Sequence, residues 1–472
     1  MEAINHSQES LPTPPKGLAI LAMLGPSMVW CAEYIGSGEV ILATRTGAIL
    51  GTSVLWAVVI GIFLKYWIGM SGGRYTVCTG EGMIDMFARI PGPAHWVVWI
   101  VLAVQFIAAI MSIGSLTVSA GAFIHSMIPI GPHWVAGWAV ALFALLVVWS
   151  GIFDVLKIVM SIFVLIIILG VIYVAIHVLP GFQVLLENLR LPVPSVPAWA
   201  LDLQGVSSNP WNEVLPLIGW GAGGFASQVF YSYWVLGAGY GAAAGRGYGK
   251  SAYLPMLKNM ELDQAHKIKG WCKVLYVDAT LAFVIGITAT CAFLVAGAGI
   301  LRPGHMAPLG KEVAFTLSNI FAQNWGSTGA LLFKLAGAAA LTSTLIGILA
   351  GWPRMLADAF RICIPGFNQK FTWKIQFRMF LLFFLATNIA IVYWLGEMPV
   401  FMVRLSAVVD GILLTPLQAI WVAVGLFVVM PKLLSQQAYQ ILKPGRIFAI
   451  GLLAAFLVFG YFCVFHLPMF LS

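Results

Sequence analysis

The stretch GSGE at residues 36–39 interrupts an apolar run that covers residues 18–50. A second glycine-rich stretch, GWGAGG at residues 219–224, interrupts another apolar run over residues 214–236. Lipid accepts unwound backbone only where that backbone is buried in protein or lines a watery cavity. Two interrupted helices at corresponding places in two halves of a chain indicate the substrate site of a transporter. The two stretches therefore predict a membrane transporter, and the carboxylate of Glu39 favours a cation as its substrate.

Composition places the whole chain in the membrane. Of the 472 residues, 61% are hydrophobic and only 9% are charged, and the mean hydropathy is +0.95. A soluble globular protein has about 25% charged residues. We therefore expect an all-α, multi-pass integral membrane protein, with a polar tail over residues 1–17 and a single transmembrane domain over residues 18–470. At about 20 residues per span, about eleven membrane helices are predicted, near residues 18–50, 52–71, 96–128, 133–151, 155–180, 213–237, 271–300, 328–350, 376–396, 399–430 and 446–470.

The placement of the net charge of +8 indicates membrane orientation and argues against nucleic-acid binding. Basic residues gather in the loops near 237–270 and 351–375, whereas Arg190 is the only basic residue of the loop near 181–212. This asymmetry predicts a cytoplasmic N-terminus and an extracytoplasmic C-terminus in the plasma membrane. The tail lacks the pattern of a cleavable signal peptide. The six cysteines lack CxxC spacing, so neither a disulfide framework nor a zinc site is expected.

The order of the spans predicts two related halves. Each interrupted helix begins a segment of about five spans, over residues 18–180 and 213–430, and an extra helix follows near 446–470. An odd number of spans gives the two halves opposite orientations. The layout therefore predicts a five-plus-five inverted repeat with broken helices 1 and 6. Nothing in the sequence indicates oligomerisation, and we expect a monomer in the bilayer.

The first stretch offers oxygen ligands for a cation. Unwinding would free the carbonyl of Gly36, and Ser37 and Glu39 would add side-chain oxygens. A charge at the centre of a bilayer costs about 2.5–3.5 kcal/mol on insertion scales, so such a group needs a partner or a function. We expect Glu39 to bind the cation. The alternative is that Glu39 pairs with Arg45 or caps its half-helix.

The second stretch would form the opposite wall. Ala222 could present its carbonyl, and Ser227 and Gln228 follow within about one turn. Asp410, deep in the tenth span, is a candidate second carboxylate, and Glu33 either lines the pathway or, as we expect, bonds locally. Since the second stretch contains no methionine, cysteine or histidine, Mg²⁺, Ca²⁺ or Mn²⁺ is favoured over softer metals. No nucleophile–base pair or cofactor motif is present, so we expect neither an enzyme nor a bound cofactor.

Several segments resemble the NRAMP family of divalent-metal transporters. The resemblance lies in Gly25-Pro26 through Gly38, in Arg74–Gly80, in Ile113–Ser115 and in Ser343–Gly351, which matches the eighth helix of the family. It implies eleven or twelve helices in the leucine-transporter fold. The chain differs from the family at the two signatures that bind metal in the family, and these differences bear on the substrate.

The family's first-helix signature Asp-Pro-Gly-Asn falls on residues 36–39, so the Asp is lost and the Asn is replaced by Glu39. The sixth-helix signature Met-Pro-His-Asn falls on residues 225–228, where Phe225 replaces the thioether ligand and Ser227 replaces the histidine of the proton path. The acidic pair of the third helix is also absent. These changes are similar to those of the NRAMP-related magnesium transporters. That resemblance implies uptake of Mg²⁺, with Mn²⁺ also accepted, and no proton coupling.

Three alternatives stay open at this point. A conventional proton-coupled Mn²⁺ or Fe²⁺ importer could use Glu39 or Asp410 for protonation. An amino-acid or organic-cation symporter could share the same fold, because a fold alone does not fix a function. A metal sensor that does not transport is disfavoured because almost no sequence is left for a soluble domain.

Overall fold

The computed structural model describes residues 11–178, 183, 193–203, 205–307, 313–395 and 399–471. Most residues of these ranges are helical, and the described chain contains no β-strand. The main helices, numbered in chain order, are α1 (Pro26–Tyr34), α2 (Thr44–Leu50), α3 (Leu55–Thr79), α4 (Trp96–Met127), α5 (His133–Val148), α6 (Phe153–Val178), α7 (Trp211–Trp220), α8 (Phe225–Ala238), α9 (Leu262–Ala296), α10 (Val313–Cys363), α11 (Trp373–Leu395), α12 (Pro399–Val408), α13 (Thr415–Val424) and α14 (Arg446–Tyr461).

Short helices and wide turns connect or extend these elements. Single-turn and short helices lie at Gly17–Met23, Gly51–Val54, Met83–Ala88, Ala198–Leu201, Gly241–Ala243, Leu254–Lys258, Pro365–Lys370, Met430–Leu433, Gln436–Leu442 and Leu467–Leu471. Turns of π-helix occupy Gly38–Ala43, Gly297–Leu301, Val409–Leu413, Gly425–Val429 and Phe462–His466.

The helices confirm an all-α membrane protein. By length and composition, eight helices of the described chain can cross a membrane, or nine if Gly17–Met23 and Pro26–Tyr34, bent by 49°, form one span. The sequence predicts about eleven spans. The numbers differ because α5, α7 and α8, with 16, 10 and 14 residues, are each too short to count. In addition, the chain from Gly38 to Thr79 counts as one span although it covers two predicted ones.

Both predicted interruptions are present. Helix α1 ends at Tyr34 and the chain resumes helical form at Gly38, so residues 35–37 form the first break. Helix α7 ends at Trp220 and α8 begins at Phe225, so residues 221–224 form the second break. After each break the chain continues into further long helices, in the order predicted for two halves. The opposite orientation of these halves stays a prediction.

The long helix α10 packs against the first break. A Cβ atom at Gly36 would overlap the hydroxyl of Thr344, and a Cβ atom at Gly347 would overlap the side chain of Glu33. Thr344 and Gly347 both belong to the Ser343–Gly351 segment of α10. That segment therefore brings α10 into direct contact with the end of α1 and holds the unwound backbone in protein.

Candidate functional site

A cavity of about 30 Å³ lies between the two breaks. A site for one water-sized group needs roughly 10–15 Å³, so the cavity has room for about two such groups. Helices α1, α4, α8 and α10 and the turn Val409–Leu413 contribute to its wall. The polar lining residues are Glu33, Ser37, Ser112, Ser227, Thr344 and Asp410, and the aromatic ones are Tyr34, Trp220, Phe230 and Trp352.

Glu33 joins the two broken helices across the cavity. Its Oε2 accepts a hydrogen bond of 2.5 Å from the hydroxyl of Ser227, which lies in the first turn of α8. The same hydroxyl accepts a bond of 3.0 Å from the indole nitrogen of Trp30. The expectation that Glu33 bonds locally is therefore wrong, because helix α1 turns this carboxylate towards the second break.

Asp410 approaches the second break from the opposite side. It lies in the π-helical turn Val409–Leu413, and its Oδ1 accepts hydrogen bonds from the side-chain amide of Gln105, at 2.8 Å, and from the backbone nitrogen of Ala226, at 3.2 Å. The second bond places a carboxylate at the N-terminus of α8, where the helix dipole stabilises negative charge. A Cβ atom at Gly224 would overlap Oδ2 of Asp410, so glycine is required for this close approach.

Two buried hydroxyls that line the cavity have no hydrogen-bond partner within the described chain. They belong to Ser37, in the first break, and to Ser112, in α4. Buried polar side chains nearly always form hydrogen bonds in folded proteins. These two hydroxyls are therefore free to bind a polar ligand or water in the cavity.

Glu39 lies outside the set of lining residues. Its side chain is fully buried. Its Oε2 accepts a bond of 2.8 Å from the backbone nitrogen of Gly36, and its Oε1 accepts one of 3.2 Å from the hydroxyl of Thr290 in α9. The carbonyl of Gly36 accepts bonds from the backbone nitrogens of Glu39 and Val40, at 3.1 and 2.8 Å. In this conformation Glu39 caps the helical segment that follows the first break.

Three further residues predicted for the site also lie outside the cavity lining. The carbonyl of Ala222 accepts a bond of 2.9 Å from the side-chain amide of Gln228. Phe225 is buried, and its carbonyl accepts a bond of 3.0 Å from the amide of Gln418. Of the eight residues predicted for the site, the cavity therefore brings together Ser37, Ser227 and Asp410, and it leaves out Gly36, Glu39, Ala222, Phe225 and Gln228.

Lys65, at the middle of α3, is a residue of this region that was not predicted from the sequence. This fully buried side chain donates hydrogen bonds to backbone carbonyls of the last turn of α7 and of the second break. It also interacts electrostatically with Glu39 and Asp410. The signal was available, since a lysine in the centre of the apolar run 52–71 is a candidate functional residue.

A buried ion pair joins the two broken helices at one end of the bundle. The guanidinium of Arg45, in α2, donates to both carboxylate oxygens of Glu213, in α7, at 2.8 and 2.9 Å. Arg404, in α12, lies 3.7 Å from the same carboxylate. The alternative in which Arg45 pairs with Glu39 is therefore wrong.

The described residues do not form a metal site from charged ligands alone. Within the described ranges, no group of three or more histidine, cysteine, aspartate or glutamate side chains is arranged to hold a metal ion. A metal in the cavity would have Glu33 and Asp410 as its charged neighbours. Hydroxyls, carbonyls and water would have to complete its coordination.

Comparisons with known proteins match a short part of the sequence and almost the whole fold. No family model matches the chain. Over 81 residues, 17% of this chain, it is 28% identical to the divalent metal cation transporter MntH of Yersinia enterocolitica and 27% identical to that of Pectobacterium carotovorum. The chain spans about a fifth of the length of these relatives, 20% in each case.

Solved structures match almost the whole chain. A variant of the Eremococcus coleocola manganese transporter superposes with a TM-score of 0.65 at 13% identity, over 94% of this chain and 87% of that one. Mhp1, a nucleobase-cation-symport-1 family transporter with bromovinylhydantoin bound, superposes with a TM-score of 0.56 at 12% identity, over 96% and 94%. The chain therefore has the leucine-transporter fold that these transporters share.

Proposed function

We propose that this protein takes up divalent metal ions, Mg²⁺ and also Mn²⁺, by alternating access and without proton coupling. Transport would pass through the cavity between the two breaks. The proposal includes a monomer in the plasma membrane with a cytoplasmic N-terminus. It is supported by the resemblance to the NRAMP-related magnesium transporters and by the manganese transporters and divalent metal cation transporters among the similar proteins.

The observation that carries the proposal is the convergence of oxygen donors from different helices on one small cavity. Glu33 comes from α1 and Asp410 from the turn between α12 and α13, and Ser37 and Ser112, whose hydroxyls have no partner within the described chain, line the same space. Two carboxylates and two unpartnered hydroxyls in a buried site favour a cation, because a bound positive charge relieves the repulsion between the carboxylates.

The chemistry of these donors favours a hard cation. None of the described lining residues is a methionine, cysteine or histidine. Soft sulfur ligands and imidazole are what transition-metal sites commonly use, whereas carboxylates, carbonyls and water suit Mg²⁺ and Mn²⁺. Mg²⁺ keeps several waters and commonly binds through one or two carboxylates. A cavity with two carboxylates and neutral hydroxyls matches this requirement.

The charges around the two breaks also fit a divalent ion. Glu33 interacts electrostatically with Glu39 and Asp410, and Lys65 interacts with the same two carboxylates. In their ionised forms, these three carboxylates and one ammonium have a formal charge of −2. One divalent cation neutralises the group. The membrane potential would then favour inward movement by about 4.6 kcal/mol per 100 mV, twice the value for a single charge.

A proton-coupled Mn²⁺ or Fe²⁺ importer is the second candidate. Glu39 favours it, because this buried carboxylate is held away from the cavity and interacts with the ammonium of Lys65. A carboxylate that lies beside the metal path and interacts with a lysine is suited to carry a proton while other residues bind the metal. The two candidates differ in whether protons accompany the metal.

Uptake into proteoliposomes separates the candidates. Purified protein is reconstituted with an internal pH dye, and Mg²⁺ and Mn²⁺ are offered separately under an inside-negative potential. Uncoupled transport predicts uptake of both ions, saturable and mutually competitive, with no internal acidification beyond that of protein-free vesicles.

Two results would contradict the uncoupled magnesium transporter. Uptake of Mn²⁺ with internal acidification and no uptake of Mg²⁺ would establish the coupled importer. Uptake of an amino acid or organic cation that depends on Na⁺ or H⁺, without uptake of either metal, would establish a symporter on the same fold.

A further inference from the structure

The ammonium of Lys65 is surrounded by backbone oxygens of the second break. Its Nζ lies 2.9, 2.5, 3.2 and 2.7 Å from the carbonyl oxygens of Ile218, Gly219, Gly221 and Gly223. We call these four oxygens the carbonyl cage. They come from the last turn of α7 and from the unwound residues after it.

The carbonyl cage exists because helix α7 ends there. The last carbonyls of a helix have no partner within the helix, and they carry the negative end of the helix dipole. A primary ammonium has three N–H donors, so four oxygens within 3.2 Å surround it as ligands surround a metal ion. Rings of backbone carbonyls are also the sites that select alkali cations in channels.

The nearest partners of the Lys65 ammonium are these carbonyl dipoles. Within the described chain, no carboxylate lies within 4.0 Å of its nitrogen, the distance that defines an ion pair. The ring of Phe459, in α14, lies 5.6 Å from the nitrogen, at the distance of a cation–π contact. Glu39 and Asp410 act on it from farther away.

We propose that the carbonyl cage is a monovalent-cation site that Lys65 fills with its own ammonium, and that a small alkylammonium or alkali cation binds there when the lysine is removed. Gly223 contributes an oxygen to the cage and also lines the central cavity, so the cage adjoins a space that a small cation can use. The tethered ammonium keeps the second break unwound without a second ion. This inference does not depend on which substrate crosses the membrane.

Chemical rescue of Lys65→Ala tests the proposal. Thermal unfolding of the purified variant is followed in choline chloride while methylammonium, propylammonium, Na⁺ or K⁺ replaces choline at constant ionic strength. We expect the Tm of Lys65→Ala in choline to fall by roughly 5–10 °C. At least one of the small cations should restore a large part of that loss with saturation, because a ligand that binds only the folded state stabilises it.

Two variants serve as controls. Lys65→Met fills the space with an apolar chain, so its Tm should fall without rescue by any cation. Lys334→Ala removes another lysine of the membrane domain, one that bonds a single carbonyl, that of Ser126, at 3.1 Å. Its Tm should respond to the cations only as the wild type does.

Three outcomes would overturn the proposal. One is a Lys65→Ala protein as stable in choline as the wild type. Another is rescue of Lys65→Ala no larger than that of Lys334→Ala. The third is a higher Tm of the wild type in Na⁺ or methylammonium than in choline, which would show that the site is open. Because Lys65 already fills the cage of the wild type, its Tm should be the same in all three. This measurement does not require any variant to fold.

Discussion

The two breaks interrupt similar helices but use their freed polar groups differently. At the first break, Glu33 and Ser37 face the cavity, and the hydroxyl of Ser37 has no partner in the described chain. At the second break, the backbone oxygens are already engaged by Lys65 and Gln228. An unwound helix therefore does not by itself provide a metal ligand. Its oxygens are available to a substrate only where no side chain of the protein has taken them.

This difference assigns the two breaks different roles in the proposed transport. The first break, together with Asp410, would supply oxygens that contact the ion. The second break would supply a wall whose shape is fixed by Lys65, and the first turn of α8 after it would hold Asp410, through the nitrogen of Ala226, and Glu33, through the hydroxyl of Ser227. Variants at each break can therefore test this difference.

The largest effect is expected from neutralising the carboxylates of the cavity. Loss of one partner from a buried charge pair costs about 2 kcal/mol or more, which corresponds to roughly 30-fold. Glu33→Gln and Asp410→Asn should each lower Mn²⁺ uptake by at least that factor, measured as initial rates in proteoliposomes. Asp263→Asn, at an exposed side chain paired with Lys267, is the matched control and should leave uptake unchanged. Full uptake by Glu33→Gln would remove the first break from the ion path.

A methyl group at Gly224 tests whether the second break acts through Asp410. The added Cβ would overlap Oδ2 of Asp410 and displace the carboxylate. Overpacking of this kind costs about 1–3 kcal/mol, so we expect Gly224→Ala to lower uptake roughly 10- to 100-fold. Gly366→Ala, where a Cβ would meet open space, should leave uptake unchanged. Wild-type rates in Gly224→Ala would show that the position of Asp410 is unimportant.

Glu39→Gln should have a smaller effect than Glu33→Gln, because Glu39 acts on the cavity through charge alone. In an effective dielectric of about 20, removal of one nearby charge changes the binding free energy of an ion by about 1–2 kcal/mol, so we expect roughly a tenfold loss of uptake. The comparison of the two variants is made under the same potential and lipid composition. A larger loss in Glu39→Gln than in Glu33→Gln would reverse the assignment of the metal ligand. Loss of proton movement with metal uptake retained would instead support the coupled importer.

The smallest effect is expected at the unpartnered hydroxyls. A hydrogen bond to a neutral group contributes about 0.5–1.5 kcal/mol, so Ser37→Ala and Ser112→Ala should each raise the KM for Mn²⁺ about threefold to tenfold. Ser161→Ala, which removes a hydroxyl that bonds to the carbonyl of Lys157 in α6, is the control. An unchanged KM in both cavity variants would mean that these hydroxyls face water throughout the cycle.

The positions of the breaks could be predicted from the sequence because they depend on local chemistry. Clusters of glycine and serine inside apolar runs are a local signal, and the breaks lie at residues 35–37 and 221–224, within one residue of the first stretch and inside the second. The contact of α10 with the first break was not predicted, because it depends on the fit of Thr344 against Gly36, two residues that are far apart in the chain.

The direction of the side chains at the breaks could not be predicted in the same way. Helical periodicity predicts which residues share a face of one helix, but it does not apply across a break. It therefore cannot predict whether Glu33, before the break, or Glu39, after it, faces the cavity. The contacts of Lys65 lie beyond local signals as well, because its nearest oxygens are more than 150 residues away in the chain. A lysine in an apolar run indicates only that some partner is needed.

The most direct test of the site is anomalous scattering at the manganese absorption edge from crystals grown with Mn²⁺. The account predicts a single peak in the cavity, within about 2.5 Å of carboxylate oxygens of Glu33 and Asp410, and loss of that peak in Glu33→Gln. A peak at the carboxylate of Glu39 or the carbonyl of Ala222, with the cavity empty, would contradict it.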